Sequence, residues 1–98
     1  MVVNIEDCAE RDLIDAYWFY EDQKTGSGEY LLTHIRPEIL ELGRCGGVHR
    51  KRHGFHFCAS RTFPHGFYYR VAGETVKVYA VLDCRRSPNW IRRQLKGR

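Results

Sequence analysis

Residues 67–82 read FYYRVAGETVKVYAVL, two mostly apolar runs joined by a short turn. From 67 to 71, apolar and other side chains alternate, which is the period of a β-strand with one covered face. Residues 76–82 are apolar at both odd and even positions, as in a strand covered on both faces. Ala72 and Gly73 supply the turn. This stretch therefore predicts a β-hairpin whose second strand is a central strand of a sheet.

Upstream of this hairpin, the periodicity is that of amphipathic helices. Residues 6–23 repeat apolar side chains at i, i+3 and i+4, with acidic residues in the first turn, where the helix dipole favours them. A break at 25–28 precedes a second helix, predicted at 28–42 with Ser27 as its cap. Pro37 is expected to kink that helix or to remove one backbone hydrogen bond. Two such helices joined by a short turn predict an antiparallel helical hairpin.

The remaining segments add strands and a final helix. Residues 2–5 begin the chain as a short strand, and residues 55–60 alternate as a further strand. A loop and a basic run occupy residues 45–53, before that strand. Residues 87–95 predict a short basic helix with Pro88 in its first turn, where proline is tolerated.

The chain has 98 residues, enough for one domain with one core. The sequence predicts a single α+β domain over residues 1–98. It has an N-terminal strand, an antiparallel helical hairpin packed on a small, mainly antiparallel β-sheet, and a short C-terminal basic helix. No run approaches the ~18 apolar residues of a transmembrane helix, and the N-terminus lacks the features of a signal peptide. We therefore expect a cytoplasmic protein with no membrane partner.

Charge is divided unevenly along the chain. Residues 1–43 carry ten acidic and three basic side chains, a net charge of −7, whereas residues 44–98 carry thirteen basic and two acidic ones, a net charge of +11. The basic excess survives neutralisation between the two halves. It therefore indicates an acidic partner for the second half, either a nucleic acid or an acidic protein.

The four cysteines stand far apart, without a C-x-x-C pair. In the absence of an export signal, we expect free thiols that pack as small apolar groups. A denser cluster places metal-ligand residue types within fourteen positions, at Cys45, His49, His53, His56 and Cys58. We expect no zinc there, because the interleaved basic residues repel a cation and zinc ligands usually come as tight pairs. No cofactor is predicted.

The order of elements and several motifs together resemble one family. Residues 61–71 read RTFPHGFYYRV and residues 76–88 read VKVYAVLDCRRSP. They resemble the patterns R-x-F-P-x-x-[IFV]-Y-Y and V-x-V-x-A-[VI]-x-[HD]-x-R-R-x-P of the RelE/ParE, or plasmid stabilisation, family of bacterial toxins. The first helix, with AERDL at 9–13 and WFYE at 18–21, is similar to the first-helix pattern of that family. Together these stretches cover nearly the whole chain.

The resemblance implies the toxin component of a type II toxin–antitoxin module, which inhibits growth and is neutralised by a cognate antitoxin protein. Two mechanisms belong to this family. The ParE-like branch poisons DNA gyrase by protein contact, and the RelE-like branch is an endoribonuclease that cleaves mRNA at the ribosome. Many relatives have His-Gly before the paired arginines, where this chain has Asp83 and Cys84, and this favours the ParE-like branch. The alternatives are the endoribonuclease and a non-toxic nucleic-acid-binding module.

Three groups of candidate residues follow. If the chain is a nuclease, the side chains that could hold a phosphate or transfer a proton are His49, Lys51, His53, Arg61, His65 and Arg85. Guanidinium groups bind carboxylate or phosphate bidentately, so the candidates for target binding are Arg61, Arg70, Arg85, Arg86, Trp90, Arg92 and Arg93. One helix face cannot bury four consecutive aromatic residues, so the candidates for antitoxin binding are Tyr17, Trp18, Phe19 and Tyr20.

Overall fold

The computed structural model describes residues 1–98, which form four helices and a five-stranded sheet. In chain order the elements are β1 (Val2–Ile5), α1 (Asp7–Glu21), α2 (Ser27–Leu40), α3 (Leu42–Cys45), β2 (Lys51–Arg52), β3 (Phe55–Ala59), β4 (His65–Ala72), β5 (Thr75–Asp83) and α4 (Pro88–Leu95). The predicted α+β class and order of elements are confirmed, with α3 and β2 as additions. No helix is long and apolar enough to cross a membrane.

The strands are arranged in the order β1-β5-β4-β3-β2. β1 runs parallel to β5, and the other neighbouring strands are antiparallel. β5 therefore has a partner on each side, which confirms residues 76–82 as an interior strand. The turn between β4 and β5 consists of Gly73 and Glu74, one residue later than predicted. Gly73 has a φ of 60°, a left-handed conformation that glycine adopts without a steric penalty.

β5 contains a β-bulge at Tyr79. Tyr68 pairs with Ala80 and Tyr69 pairs with Val78, so Tyr79 is an extra residue without a partner on β4. Beyond the bulge, the side chain of Ala80 faces the side of the sheet opposite to that of Val78. Each side of the sheet thus receives apolar residues from β5.

The two sides of the sheet have separate cores. The helical hairpin covers one side, and the buried side chains there are Ala9, Leu13, Ala16, Leu31, Ile35, Ile39, Leu42, Phe67, Tyr69, Val76, Val78 and Val81. α4 covers the other side, and the buried side chains there are Phe55, Tyr68, Ala80, Leu82, Ile91 and Leu95. The short basic helix at the end of the chain is therefore part of the core. Its first turn is capped by Ser87, whose hydroxyl accepts the N–H of Trp90.

The predicted antiparallel hairpin of α1 and α2 is confirmed. Glu10, early in α1, pairs with Arg36, late in α2, at 3.1 Å. At the other end, Gly28 lies against Tyr17, and a Cβ atom at residue 28 would stand 2.7 Å from the tyrosine ring. Glycine at this position therefore allows the two helices to approach closely.

The turn into α2 differs from the prediction that Ser27 caps the helix. Gly26 precedes the helix in a left-handed conformation, with a φ of 92°, and no side chain at the cap position accepts a hydrogen bond. Instead, the carboxylate of Glu21 at the end of α1 accepts the N–H groups of Gly26 and Gly28. α2 continues through Pro37 to Leu40, two residues short of the predicted end.

Candidate functional site

Three arginines on the α4 side of the sheet lie over aromatic rings. The guanidinium carbon stands 4.1, 4.0 and 4.0 Å from the ring centroid in the pairs Arg52–Phe57, Arg70–Phe55 and Arg86–Trp90. Arg92 and Arg93 are exposed on the α4 helix itself, because Ile91 and Leu95 turn toward the sheet. We call Arg52, Arg70, Arg86, Arg92 and Arg93 the arginine face. These residues lie on α4 itself or on the side of the sheet that α4 covers.

The strand register places the stacked arginines on this side. Arg52 pairs with Phe55 in the ladder between β2 and β3, and side chains of directly paired residues lie on the same side of a sheet. Arg70 pairs with Lys77 in the ladder between β4 and β5. The Nε of Arg70 also donates to the carbonyl of Gly54, at 3.3 Å. The Phe55 ring and the Gly54 carbonyl therefore together fix the position of the Arg70 guanidinium.

Gly66 makes room for one of the rings. A Cβ atom at this position would stand 2.2 Å from a ring atom of Phe57, so only glycine leaves space for that ring against β4. Phe57 in turn supports Arg52. A single glycine in β4 thus determines where one guanidinium of the arginine face lies.

A guanidinium held flat on a ring keeps its N–H groups free at its edge. Stacking on an aromatic face removes part of the freedom of a long side chain, while the donors in the plane remain directed outward. These donors fit the paired oxygens of a carboxylate or a phosphate. The arginine face is therefore suited to bind an anionic surface of a larger partner.

Two of the candidate target-binding arginines lie elsewhere, each paired with an acid of this chain. Arg61 contacts Glu41 through two hydrogen bonds of 3.1 and 3.2 Å, and this contact lowers the pKa of the Glu41 carboxyl. Arg85 contacts Asp83 at 2.7 Å and lowers the pKa of that carboxyl. Arg85 and Arg86 thus have different partners, and only Arg86 belongs to the arginine face.

The candidate catalytic histidines are distributed over the chain. His49 lies 2.6 Å from the hydroxyl of the buried Tyr69, and that hydroxyl also accepts the N–H of Gly47. His53 occupies the turn between β2 and β3, with a φ of 54°. His65 begins β4, at the opposite end of β3 from that turn. The structure therefore does not bring these histidines together.

A cleft of about 290 Å³ lies between α1 and α4, beside the end of β5. Its lining includes His65, whose ring is buried with 5% of the residue exposed. Neither ring nitrogen has a hydrogen-bond partner in the chain, and Nδ1 is fully shielded from solvent. Burial lowers the pKa of His65 and Arg85 lowers it further, while Asp83 opposes both effects. Burial therefore favours the uncharged form of the imidazole.

The four candidate antitoxin-binding aromatics differ in exposure. Tyr17 packs toward Gly28, and Tyr20 packs against Phe63. Trp18 and Phe19 are each 56% exposed. Two of the four rings, Trp18 and Phe19, are therefore more than half exposed at the surface of α1.

Arg52 lies in the predicted basic run and was not among the candidates for target binding. The sequence signal for its position was the pair His53 and Gly54 directly before an alternating strand, because two residues with positive φ make a tight hairpin turn that pairs the residues on either side of it.

The structure contains no group of three or more His, Cys, Asp or Glu side chains that could hold a metal ion, and all four cysteines are free. Neither a scan against protein-family models nor a search of curated proteins finds a match to this chain.

Proposed function

We propose that this chain is the toxin of a type II toxin–antitoxin module and acts in the cytoplasm by binding a protein target, DNA gyrase in the ParE-like manner. A cognate antitoxin neutralises it. The observation that carries the proposal is the arginine face, where three guanidinium groups are held on aromatic rings around the C-terminal helix. The motifs at residues 61–71 and 76–88 supply the link to the RelE/ParE family.

Binding is favoured over catalysis by the positions of the candidate catalytic groups. Cleavage of RNA needs a base, an acid and a cation within reach of one phosphate. His53 lies at one end of the β3 strand, and His65 lies near the other, so the length of a five-residue strand separates them. Arg61 and Arg85 are already paired with acids. The arginine face, in contrast, is assembled without any further rearrangement.

The proposal is tested by inducing the chain in bacterial cells and following growth, a DNA-damage reporter and the integrity of messenger RNA. Wild type is expected to arrest growth, with the damage response before any cleavage of messages. The double variant Arg70→Gln/Arg86→Gln is expected to lose this effect while keeping its melting temperature, because both side chains are exposed.

The matched control is Arg11→Gln/Arg44→Gln, which removes the same charge from two exposed arginines outside the arginine face. It is expected to arrest growth as wild type does. If message cleavage comes first, the endoribonuclease is the correct function. If wild type causes no arrest but binds nucleic acid, the chain is a non-toxic nucleic-acid-binding module.

A further inference from the structure

The cleft between α1 and α4 contains a buried polar group without a partner. His65 forms part of its inner lining, and neither nitrogen of its imidazole is engaged by the chain. A buried hydrogen-bonding group that has no partner costs free energy, so native proteins nearly always satisfy such groups. Nδ1 is shielded even from water, whereas Nε2 is not, so a group that enters the cleft could satisfy the imidazole at Nε2.

The charged residues that line the cleft are mainly acidic. Asp12, Asp15 and Asp83 contribute three carboxylates, against one guanidinium from Arg86. Asp12 and Asp83 are paired with arginines outside the lining. Asp15 has no ion-pair partner, is exposed and is free to accept hydrogen bonds. A phosphate would be repelled here, whereas a cation would be attracted.

The walls of the cleft are aromatic. Phe19 of α1 and Trp90 of α4 both line it. Arg86 already occupies one face of Trp90, and no cation of the chain lies over Phe19, which is 56% exposed. A planar guanidinium stacks on such rings and donates in its own plane to carboxylates, which an ammonium group does less well.

We propose that this cleft is an anchor pocket for an arginine side chain of the protein partner. The guanidinium stacks on Phe19, donates to the carboxylate of Asp15 and donates to Nε2 of His65. Its volume of about 290 Å³ fits one side chain and is small for a larger ligand. The inference deepens the proposed function, since it requires a protein partner that offers both acidic groups for the arginine face and one arginine for the cleft.

The test is an NMR titration of the full chain with Nα-acetyl-arginine amide, following the ring signals of His65, Phe19 and Trp90. Saturable shifts with a Kd of about 1 to 10 mM are expected for a single side chain that binds alone. The citrulline analogue has the same shape without the charge, and it is expected to bind at least about fivefold more weakly. Adenosine monophosphate serves as the nucleotide probe and is expected not to shift the ring signals of His65 and Phe19, which lie outside the arginine face.

Two pairs of variants isolate the cleft from its surroundings. Asp15→Asn is expected to raise the Kd about tenfold, because a charge-assisted hydrogen bond is lost, and Asp22→Asn, also exposed on the end of α1, is the control. Phe19→Ala is expected to weaken binding several-fold, and Trp18→Ala, at the same 56% exposure but outside the cleft, is expected not to.

Equal binding of arginine and citrulline, no saturable shift with arginine, or saturable shifts of the His65 and Phe19 rings with adenosine monophosphate would each overturn this inference. None of these results bears on growth arrest by the arginine face. Conversely, a cleft that binds arginine in a chain that does not arrest growth would overturn the proposed function and leave the pocket established.

Discussion

Arg98 and Asp12 form an ion pair across 86 positions of the sequence, at the edge of β5 that β1 leaves uncovered. The same carboxylate accepts the N–H of Val81, and Arg98 also donates to the carbonyl of Tyr79. Burial raises the pKa of Asp12, and its contacts with Arg98 and Val81 oppose that effect. Two side chains therefore satisfy strand groups that a neighbouring strand would otherwise bind.

We predict that Arg98→Gln lowers the free energy of unfolding by about 1.5 to 3 kcal/mol, because it leaves the Asp12 carboxylate largely buried without its charged partner. Urea denaturation measures the change. The double variant Asp12→Asn/Arg98→Gln is expected to be less destabilised than the sum of the two single variants, since they share one interaction. Additive effects would show that the ion pair contributes nothing to stability.

We predict that Arg70→Lys reduces growth arrest although the charge is retained. Lysine is a point charge without the planar fork that stacks on Phe55 and binds an anion bidentately. The inducer level required for half-maximal arrest is expected to rise severalfold, with a melting temperature close to that of wild type. Full arrest at the wild-type inducer level would mean that charge alone is recognised.

We predict that Gly66→Ala destabilises the protein by about 1 to 3 kcal/mol, because the added Cβ would overlap the Phe57 ring. Thermal and urea unfolding measure the loss. The double variant Gly66→Ala/Phe57→Leu, with a smaller side chain against the new methyl group, is expected to be more stable than the sum of the single effects. An alanine variant as stable as wild type would contradict the close contact.

We predict that the protein loses stability as the pH falls below about 6.5. Burial lowers the pKa of His65 below its ordinary 6.5, so in this range the unfolded chain binds a proton that the folded chain does not. The contribution of His65 to the free energy of unfolding is complete above pH 6.5. It decreases as the pH falls from 6.5 to the pKa of His65 in the folded chain, with a slope of at most about 1.4 kcal/mol per pH unit.

Asp83 acts in the same direction at lower pH. Its pKa is lowered by Arg85, so its contribution is complete above 3.8 and is lost as the pH falls through its folded pKa. In His65→Gln, the dependence on pH is expected to weaken between pH 5 and 6.5 and to remain near pH 3. If the free energy of unfolding has the same dependence on pH in wild type and variant between pH 5 and 6.5, the assignment to His65 is contradicted.

The sequence predicted those parts of the fold that depend on local periodicity. The alternation at residues 67–71 and the double-sided run at 76–82 identified β4 and β5, because hydrophobic period reports covered faces directly. The bulge at Tyr79 could not be predicted, since a strand covered on both sides carries apolar residues at odd and even positions with or without an extra residue. The prediction that Ser27 caps α2 was wrong, because the carboxylate of Glu21, five residues before Gly26, accepts the N–H groups at the start of the helix instead.

The candidate site was predictable in composition but not in grouping. The excess of arginine in residues 44–98 indicated an anion-binding surface, and Arg70, Arg86, Arg92 and Arg93 lie on the arginine face. The sequence does not show which arginine forms an ion pair with an acidic side chain of the same chain. That depends on tertiary contacts such as the one between Arg61 and Glu41, 20 positions apart.

The extra residue at the bulge has a consequence for tolerance to length changes. Without Tyr79, residues 76–82 would alternate regularly, and Val78, Ala80 and Val81 would keep the sides of the sheet they now occupy. A single-residue deletion within an interior strand usually moves every following side chain to the other side of the sheet. Deletion of Tyr79, in contrast, is compatible with both cores. Its cost would fall on the packing of the Tyr79 ring against Phe55, and on Arg98, which would lose the carbonyl to which it donates.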